Sequence, residues 1–278
     1  MEIGVGLPSM VPGTDGRLLV DWARRADHGP FASLGVLDRV LYDGYDPFVA
    51  LSAAAAVTER VRLVTMVAIG PLRATALLAK QAAAIDRISG GRLTLGLALG
   101  ARHDDYEAAA IDHLTRGRRF DAQLAELRDL WEGKAAGPKP AQDDGPELLV
   151  GGDSGPAYAR MARYADGYVH SGGPPRAFAR CASQALAAWT DLGRPGRPAL
   201  WGQGYFALGD EDRGAEYLRD YYAFTGPFAE KIAAANLTAP QAVRDFARGY
   251  GEAGCDHLIL FPTVADSAQL ERLADVLA

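Results

Sequence analysis

Short apolar runs alternate with segments of helical spacing along all 278 residues, and the number of alternations constrains the fold more than any other feature. The apolar runs fall at 3–7, 34–37, 61–69, 93–99, 148–150, 167–170, 199–208 and 257–261. Helical patterns lie between and after them, at 18–28, 47–58, 74–88, 118–131, 156–164, 176–191, 211–235, 241–252 and 268–277. Phe120, Leu124, Leu127 and Trp131, three and four residues apart, put an apolar stripe on one helix face. Asp46 before Pro47 reads as an N-cap, and Gly90-Gly91 as a helix stop. A run as β-branched as 61–69 predicts a strand covered on both faces, as in a parallel sheet. Eight strand–helix units predict an α/β (β/α)8 TIM barrel, a single domain over 1–278. A doubly wound sheet would leave the last two units over. At about 150 residues per domain the length alone leaves two domains open. No linker divides the chain, however, and 133–146 reads as a connection before the fifth strand.

Composition excludes several function classes. Lys plus Arg number 29 and Asp plus Glu 35, a net charge of −6, so there is no global field for nucleic acid or an anionic membrane. The two cysteines, Cys181 and Cys255, form no CxxC, which argues against a disulfide framework or a cysteine metal site. The five histidines form neither HExxH nor an i, i+4 pair, so no metal site is expected. There is no GxSxG. No apolar run approaches about 18 residues, and the first residues lack a basic stretch before an apolar one. A soluble cytoplasmic protein is the expectation.

A barrel carries its chemistry at the C-terminal ends of its strands. That rule selects Asp38-Arg39, Met66 to Pro71, Ala98 to Arg102 with His103, Asp104 and Tyr106 beyond, Gly151 to Gly155, His170 to Gly173, and Gln203 to Phe206. Gly151-Gly152-Asp153-Ser154-Gly155 runs into a helix. Glycines admit close approach of a ligand, and unpaired N–H groups at a helix start suit a phosphate. An ordinary strand–turn–helix with Asp153 or Ser154 as cap reads the same residues equally simply. Asp38-Arg39 reads as an active-site pair or as a salt-bridged strand end. So few titratable groups in a glycine-lined site suit a bound cofactor that does the chemistry.

Several segments together resemble the bacterial luciferase-like monooxygenase family. They are Val61-Arg62-Leu63-Val64-Thr65-Met66-Val67, Leu78-Ala79-Lys80-Gln81, Ile85 through Leu93 (IDRISGGRL), and Leu95 through Gly100 (LGLALG). Asp38, Arg116-Gly117-Arg118, Leu149-Val150-Gly151-Gly152, Ala165-Asp166-Gly167 and Ala253-Gly254-Cys255-Asp256 extend the resemblance. It implies a barrel, a homodimer, and reduced FMN or the deazaflavin F420 as cofactor. The ring system would rest on a bulge at Met66, Val67 and Ala68, with a non-proline cis peptide. Ala98, Leu99 and Gly100, with Tyr106 beyond, would lie on its other side. Gly151, Gly152, Asp153, Ser154 and Gly155 would take the phosphate. Two departures stand out. Arg39 occupies a position where family members often have His, and Leu99 one where bacterial luciferase has a phosphate-binding Arg, which leaves backbone amides or Arg102 for that role. The chain is short after strand seven, which predicts an open pocket.

The reading is a flavin-dependent oxidoreductase, a monooxygenase using reduced FMN and O2 on a small organic substrate. Asp38, Arg39 and His170 would orient substrate or move protons, and a separate flavin reductase could supply the cofactor. An F420-dependent hydride-transfer reductase or dehydrogenase is the alternative. A non-catalytic flavin-binding paralogue is the alternative of another class.

Overall fold

The computed structural model describes residues 1–133 and 137–277. Within the 133–146 connection, residues 134–136 lie outside the described residues.

The elements follow the alternation. β1 (Glu2–Gly6), α1 (Gly16–His28), β2 (Ser33–Val36) and α2 (Pro47–Ala55) come first. β3 (Arg62–Thr65), β4 (Ala68–Ile69), α3 (Thr75–Ser89), β5 (Leu93–Ala98) and α4 (His103–Ala108) follow. Next are α5 (Arg116–Trp131), β6 (Glu147–Gly151), α6 (Gly155–Tyr164), β7 (Gly167–Val169) and α7 (Pro175–Asp191). β8 (Ala199–Phe206), α8 (Glu211–Tyr221), α9 (Phe228–Ala234), α10 (Pro240–Glu252), β9 (His257–Pro262) and α11 (Ser267–Leu277) complete the chain. Asp46 caps α2 by accepting from the Phe48 and Val49 N–H groups, and Gly90, at φ 69°, ends α3.

All strand pairings are parallel, and β3 pairs with both β2 and β5, so the sheet closes. β3 and β4 are two pieces of one barrel strand, which makes eight in a (β/α)8 TIM barrel. The single strand expected at 61–69 is therefore interrupted at Met66-Val67, whose peptide is cis. Leu63 pairs with Leu93 but Ala68 pairs with Leu97, so the third strand carries one extra residue against β5.

Strand side chains alternate between two cores. Val64, Leu149, Val169, Trp201, Ile259 and Phe261 fill the barrel, while Leu63, Leu148, Tyr168, Leu200 and Leu260 pack outward under the helices. The N-terminal face is stapled by acids. Asp86 accepts from the Ala141 and Gln142 N–H groups at 2.8 and 3.0 Å. Asp166 accepts from the Leu148 N–H and Asp256 from the Leu200 N–H, each from the neighbouring strand. Among the described residues no helix is long and apolar enough to cross a membrane.

Candidate active site at the C-terminal mouth of the barrel

A cavity of about 1060 Å³ opens at the C-terminal ends of the strands. Its first wall is the bulge. The Thr65 hydroxyl donates to the Gly96 carbonyl at 2.7 Å and accepts from the Gly96 N–H at 2.9 Å, replacing the ladder where β3 breaks. A Cβ at position 96 would lie 2.1 Å from the Thr65 carbonyl oxygen, so only glycine fits. Met66, Val67 and Ile69 then reach the cavity, with Ala98, Leu99 and Gly100 of the next strand beside them. Ala68 is turned into the outer core.

Asp38, at the end of β2, secures the bulge. Its Oδ2 accepts from the Ile69 N–H at 2.8 Å, and the Arg73 guanidinium donates to both carboxylate oxygens at 3.1 Å. Arg73 also donates to Asp46 at 3.0 Å. Burial pushes the Asp38 carboxyl up, opposed by Arg73 and by the Ile69 N–H. Burial also works against the Arg73 charge, but Asp38 and Asp46 outweigh it and raise its pKa. Both carboxylate oxygens are taken as acceptors, which is the geometry of the ionised form. Asp38 lines the cavity with its hydrogen bonds already spent.

Arg39 lies beside it, buried, donating to the Leu41 carbonyl at 2.9 Å and stacked 4.3 Å above the Tyr42 ring. His170 is elsewhere. It continues the outward phase of Tyr168, packs edge-on to Phe178 at 5.8 Å, and is not among the residues lining the cavity. Both of its ring nitrogens are buried without a hydrogen-bond partner among the described residues, and burial lowers its pKa.

Two strands on from the bulge, Gly151, Gly152, Asp153 and Ser154 lead into α6 and line the cavity, and Gly155 opens the helix outside that lining. Ser154 is the N-cap but makes no side-chain cap; Pro156 has no N–H and the Ala157 N–H donates to the Ser154 carbonyl at 2.9 Å, so the Gly155 N–H is the first-turn donor left for an anion. Arg176, in the first turn of α7, joins the same lining. Sequence reasoning missed it, although the Gly172-Gly173 turn ahead of it marks a strand end. Tyr106 is away from the cavity. Its phenol donates to the Leu99 carbonyl and, being buried, is pushed up to about 12. Arg102, considered for a phosphate, instead donates to the Tyr221 carbonyl at 3.2 Å and lies 4.2 Å from the Phe224 ring.

The last wall comes from the segment after β8. Tyr221, Tyr222, Phe224, Phe228 and Ile232 line the cavity together with Tyr205 of β8. The short chain still builds this wall, on a cavity that opens at the barrel mouth. The Tyr42 hydroxyl donates to Asp220 at 2.5 Å, tying α8 to the loop after β2. Among the described residues no group of three or more His, Cys, Asp or Glu is arranged to hold a metal.

An apolar bed of small residues beside an uncapped helix start fits a flat ring system that carries a phosphate. Among proteins of known sequence, the chain is 30% identical over 196 residues to the uncharacterized protein Rv0940c of Mycobacterium tuberculosis, covering 58% of this chain and 68% of that one. The fold is similar to that of an F420-dependent secondary alcohol dehydrogenase in complex with an F420-acetone adduct, with TM-score 0.79 and 15% identity over 99% of this chain and 97% of that one. It is also similar to the oxygenating constituent of 3,6-diketocamphane monooxygenase of Pseudomonas putida in complex with FMN, with TM-score 0.73 and 17% identity over 100% and 96%. At such identities these two structures speak for the fold. The model of the luciferase-like monooxygenase family matches residues 1–257, and the chain belongs to that family.

Proposed function

We propose that this oxidoreductase is a monooxygenase that uses reduced FMN and O2 to oxygenate a small organic substrate. The observation that carries the reading is the composition of the cavity. It has room for a cofactor and a substrate together, and its walls are mainly apolar. Its one buried carboxylate, Asp38, is already engaged by Arg73 and Ile69. When bound, the flavin supplies redox chemistry that no side chain here provides.

The protein's own contributions are binding, orientation and exclusion of water. Met66, Val67 and Ile69 on one strand, and Ala98, Leu99 and Gly100 on the next, form the bed for the ring. Asp38 acts as a positioning residue, fixing the Ile69 amide and through it the bed. Gly152, Ser154 and the start of α6, with Arg176, hold the phosphate. Tyr221, Tyr222 and Phe224 shield the reacting volume from water, and such shielding suppresses side reactions. Arg39 supplies a fixed positive charge at the wall. His170, behind the barrel wall, takes no part. A homodimer belongs to the proposal, since Val49 of α2 and Leu77 and Ile88 of α3 are 63%, 62% and 58% exposed on packed neighbouring helices. A separate flavin reductase as cofactor source completes it.

Parallel titrations with FMN, dithionite-reduced FMN and F420, followed by absorption and fluorescence, test the reading. Tighter binding of reduced FMN than of F420, with substrate-dependent O2 uptake, is the expected result. F420 binding at far lower concentration than FMN would replace it with hydride transfer. FMN binding with no turnover of any substrate would point to a non-catalytic flavin carrier.

A further inference from the structure

The aromatic wall holds a hydroxyl proton that no group among the described residues accepts. β8 lies four strands around the barrel from the interrupted β3–β4 strand, so its side chains face the bulge across the mouth. There the hydroxyls of Tyr205 and Tyr222 lie 2.6 Å apart. Two phenols carry two protons, and one hydrogen bond between them uses one. Among the described residues neither hydroxyl makes another hydrogen bond. Tyr205 is the more buried, and Tyr222 is half-buried at the cavity surface. The arrangement that wastes least has Tyr205 donating to Tyr222 and Tyr222 donating outward, each bond polarising the next. Burial pushes both phenols up, so the protons stay in place at neutral pH.

The surroundings define what the donor meets. Tyr221 stands edge-on to Tyr222 at 5.1 Å, and Phe224 stacks near it at 6.2 Å and 28°. These rings offer flat apolar surface. Arg102 donates its NH1 to the Tyr221 carbonyl beside them. The nearby carboxylate of Asp220 is occupied by Tyr42. Arg102 is itself paired, 3.6 Å from Asp104 and 3.9 Å from Asp105, so what the wall presents is the outward Tyr222 hydroxyl. A hydroxyl donor in apolar surroundings suits an acceptor oxygen.

We infer that the Tyr205–Tyr222 pair is the substrate handle of this cavity, taking a flat apolar molecule by a carbonyl-type acceptor oxygen and turning its rings along Tyr221 and Phe224. The inference names the substrate class for the oxidoreductase proposed above and rests on it only for leaving this end of the cavity to substrate.

Calorimetric titration with 1-tetralone and with tetralin, the same frame without the oxygen, tests it, run with and without saturating FMN. In the wild type, 1-tetralone should bind about five- to tenfold tighter, the worth of one hydrogen bond. Tyr222→Phe should abolish that preference and leave tetralin unchanged, and Tyr205→Phe should weaken it. Tyr42→Phe, whose hydroxyl is spent on Asp220, should keep it. Equal affinity for the two compounds, a preference that survives Tyr222→Phe, or no saturable tetralone binding overturns the inference. A Tyr222-dependent preference in a protein that fails to bind FMN upholds it while removing the flavin reading. FMN binding without any tetralone preference does the reverse.

Discussion

The Thr65 hydroxyl bonds both backbone groups of Gly96, at 2.7 and 2.9 Å, at the point where the third barrel strand breaks. One side chain thus satisfies two buried main-chain groups that the missing ladder would leave unpaired. Thr65→Val keeps the shape and removes both bonds. The cost should be on the order of 1–3 kcal/mol by chemical denaturation, and Thr65→Ser should restore most of it. A valine variant as stable as the wild type would show that the bulge is held by other contacts. Gly96→Ala, which drives a Cβ into the Thr65 carbonyl, should be worse than either.

Asp38 and Arg73 form a buried pair, with side chains 2% and 17% exposed. Removing one charge strands the other. Asp38→Asn should cost about 3 kcal/mol, at the low end for a broken buried pair because Asp46 still holds Arg73. A double-mutant cycle with Arg73→Met should show strong coupling. Independent effects of the two substitutions would sink the assignment of Asp38 as the anchor of the bulge.

His170 predicts a slope of stability with pH. Burial holds its folded-state pKa below 6.5, with Asp153 pulling the other way and Arg180 adding to the depression. The unfolded chain therefore binds the proton first as pH falls. Stability should be full above about pH 6.5 and decline below it, by up to about 1.4 kcal/mol per pH unit for this group. His170→Phe, in a pocket already lined by Phe178 and Tyr168, should flatten that slope between pH 6.5 and 5. An unaltered slope would assign the effect to His257, which burial also depresses.

The start of α6 predicts discrimination between FMN and riboflavin, which differ by the phosphate alone. FMN should bind on the order of tenfold tighter or more. Arg176→Ala should reduce FMN affinity several-fold and leave riboflavin alone. Equal loss for both flavins would place Arg176 against the ring or the fold and not the phosphate.

The sequence by itself determined the barrel, because eight alternations of strand and helix period leave one closed arrangement. It also yielded the family, and the residues that carry the resemblance turn out to be largely staples. Asp86, Asp166 and Asp256 each accept backbone N–H groups at the N-terminal face, which any barrel of this kind needs irrespective of substrate. Met66-Val67, Ala98 to Gly100 and Gly151 to Ser154 were legible as strand ends, and they do meet at one cavity. Their neighbours were not. His170 and Val169 differ by one residue in a strand, and the phase that sends Val169 inward turns His170 out. Tyr106 sits in α4, a short helix without a periodic signal, which aims it at the Leu99 carbonyl. Arg73 meets Asp38 only because the bulge brings the end of β4 against β2. The Tyr205–Tyr222 contact joins a strand to a segment 17 residues on, and a hydrogen bond across that separation leaves no trace in local periodicity. Strand period and caps are local properties and can be read along the chain. Which side chains share a cavity depends on strand phase and on how the segments between strands cross the barrel mouth, and the tertiary structure alone decided that.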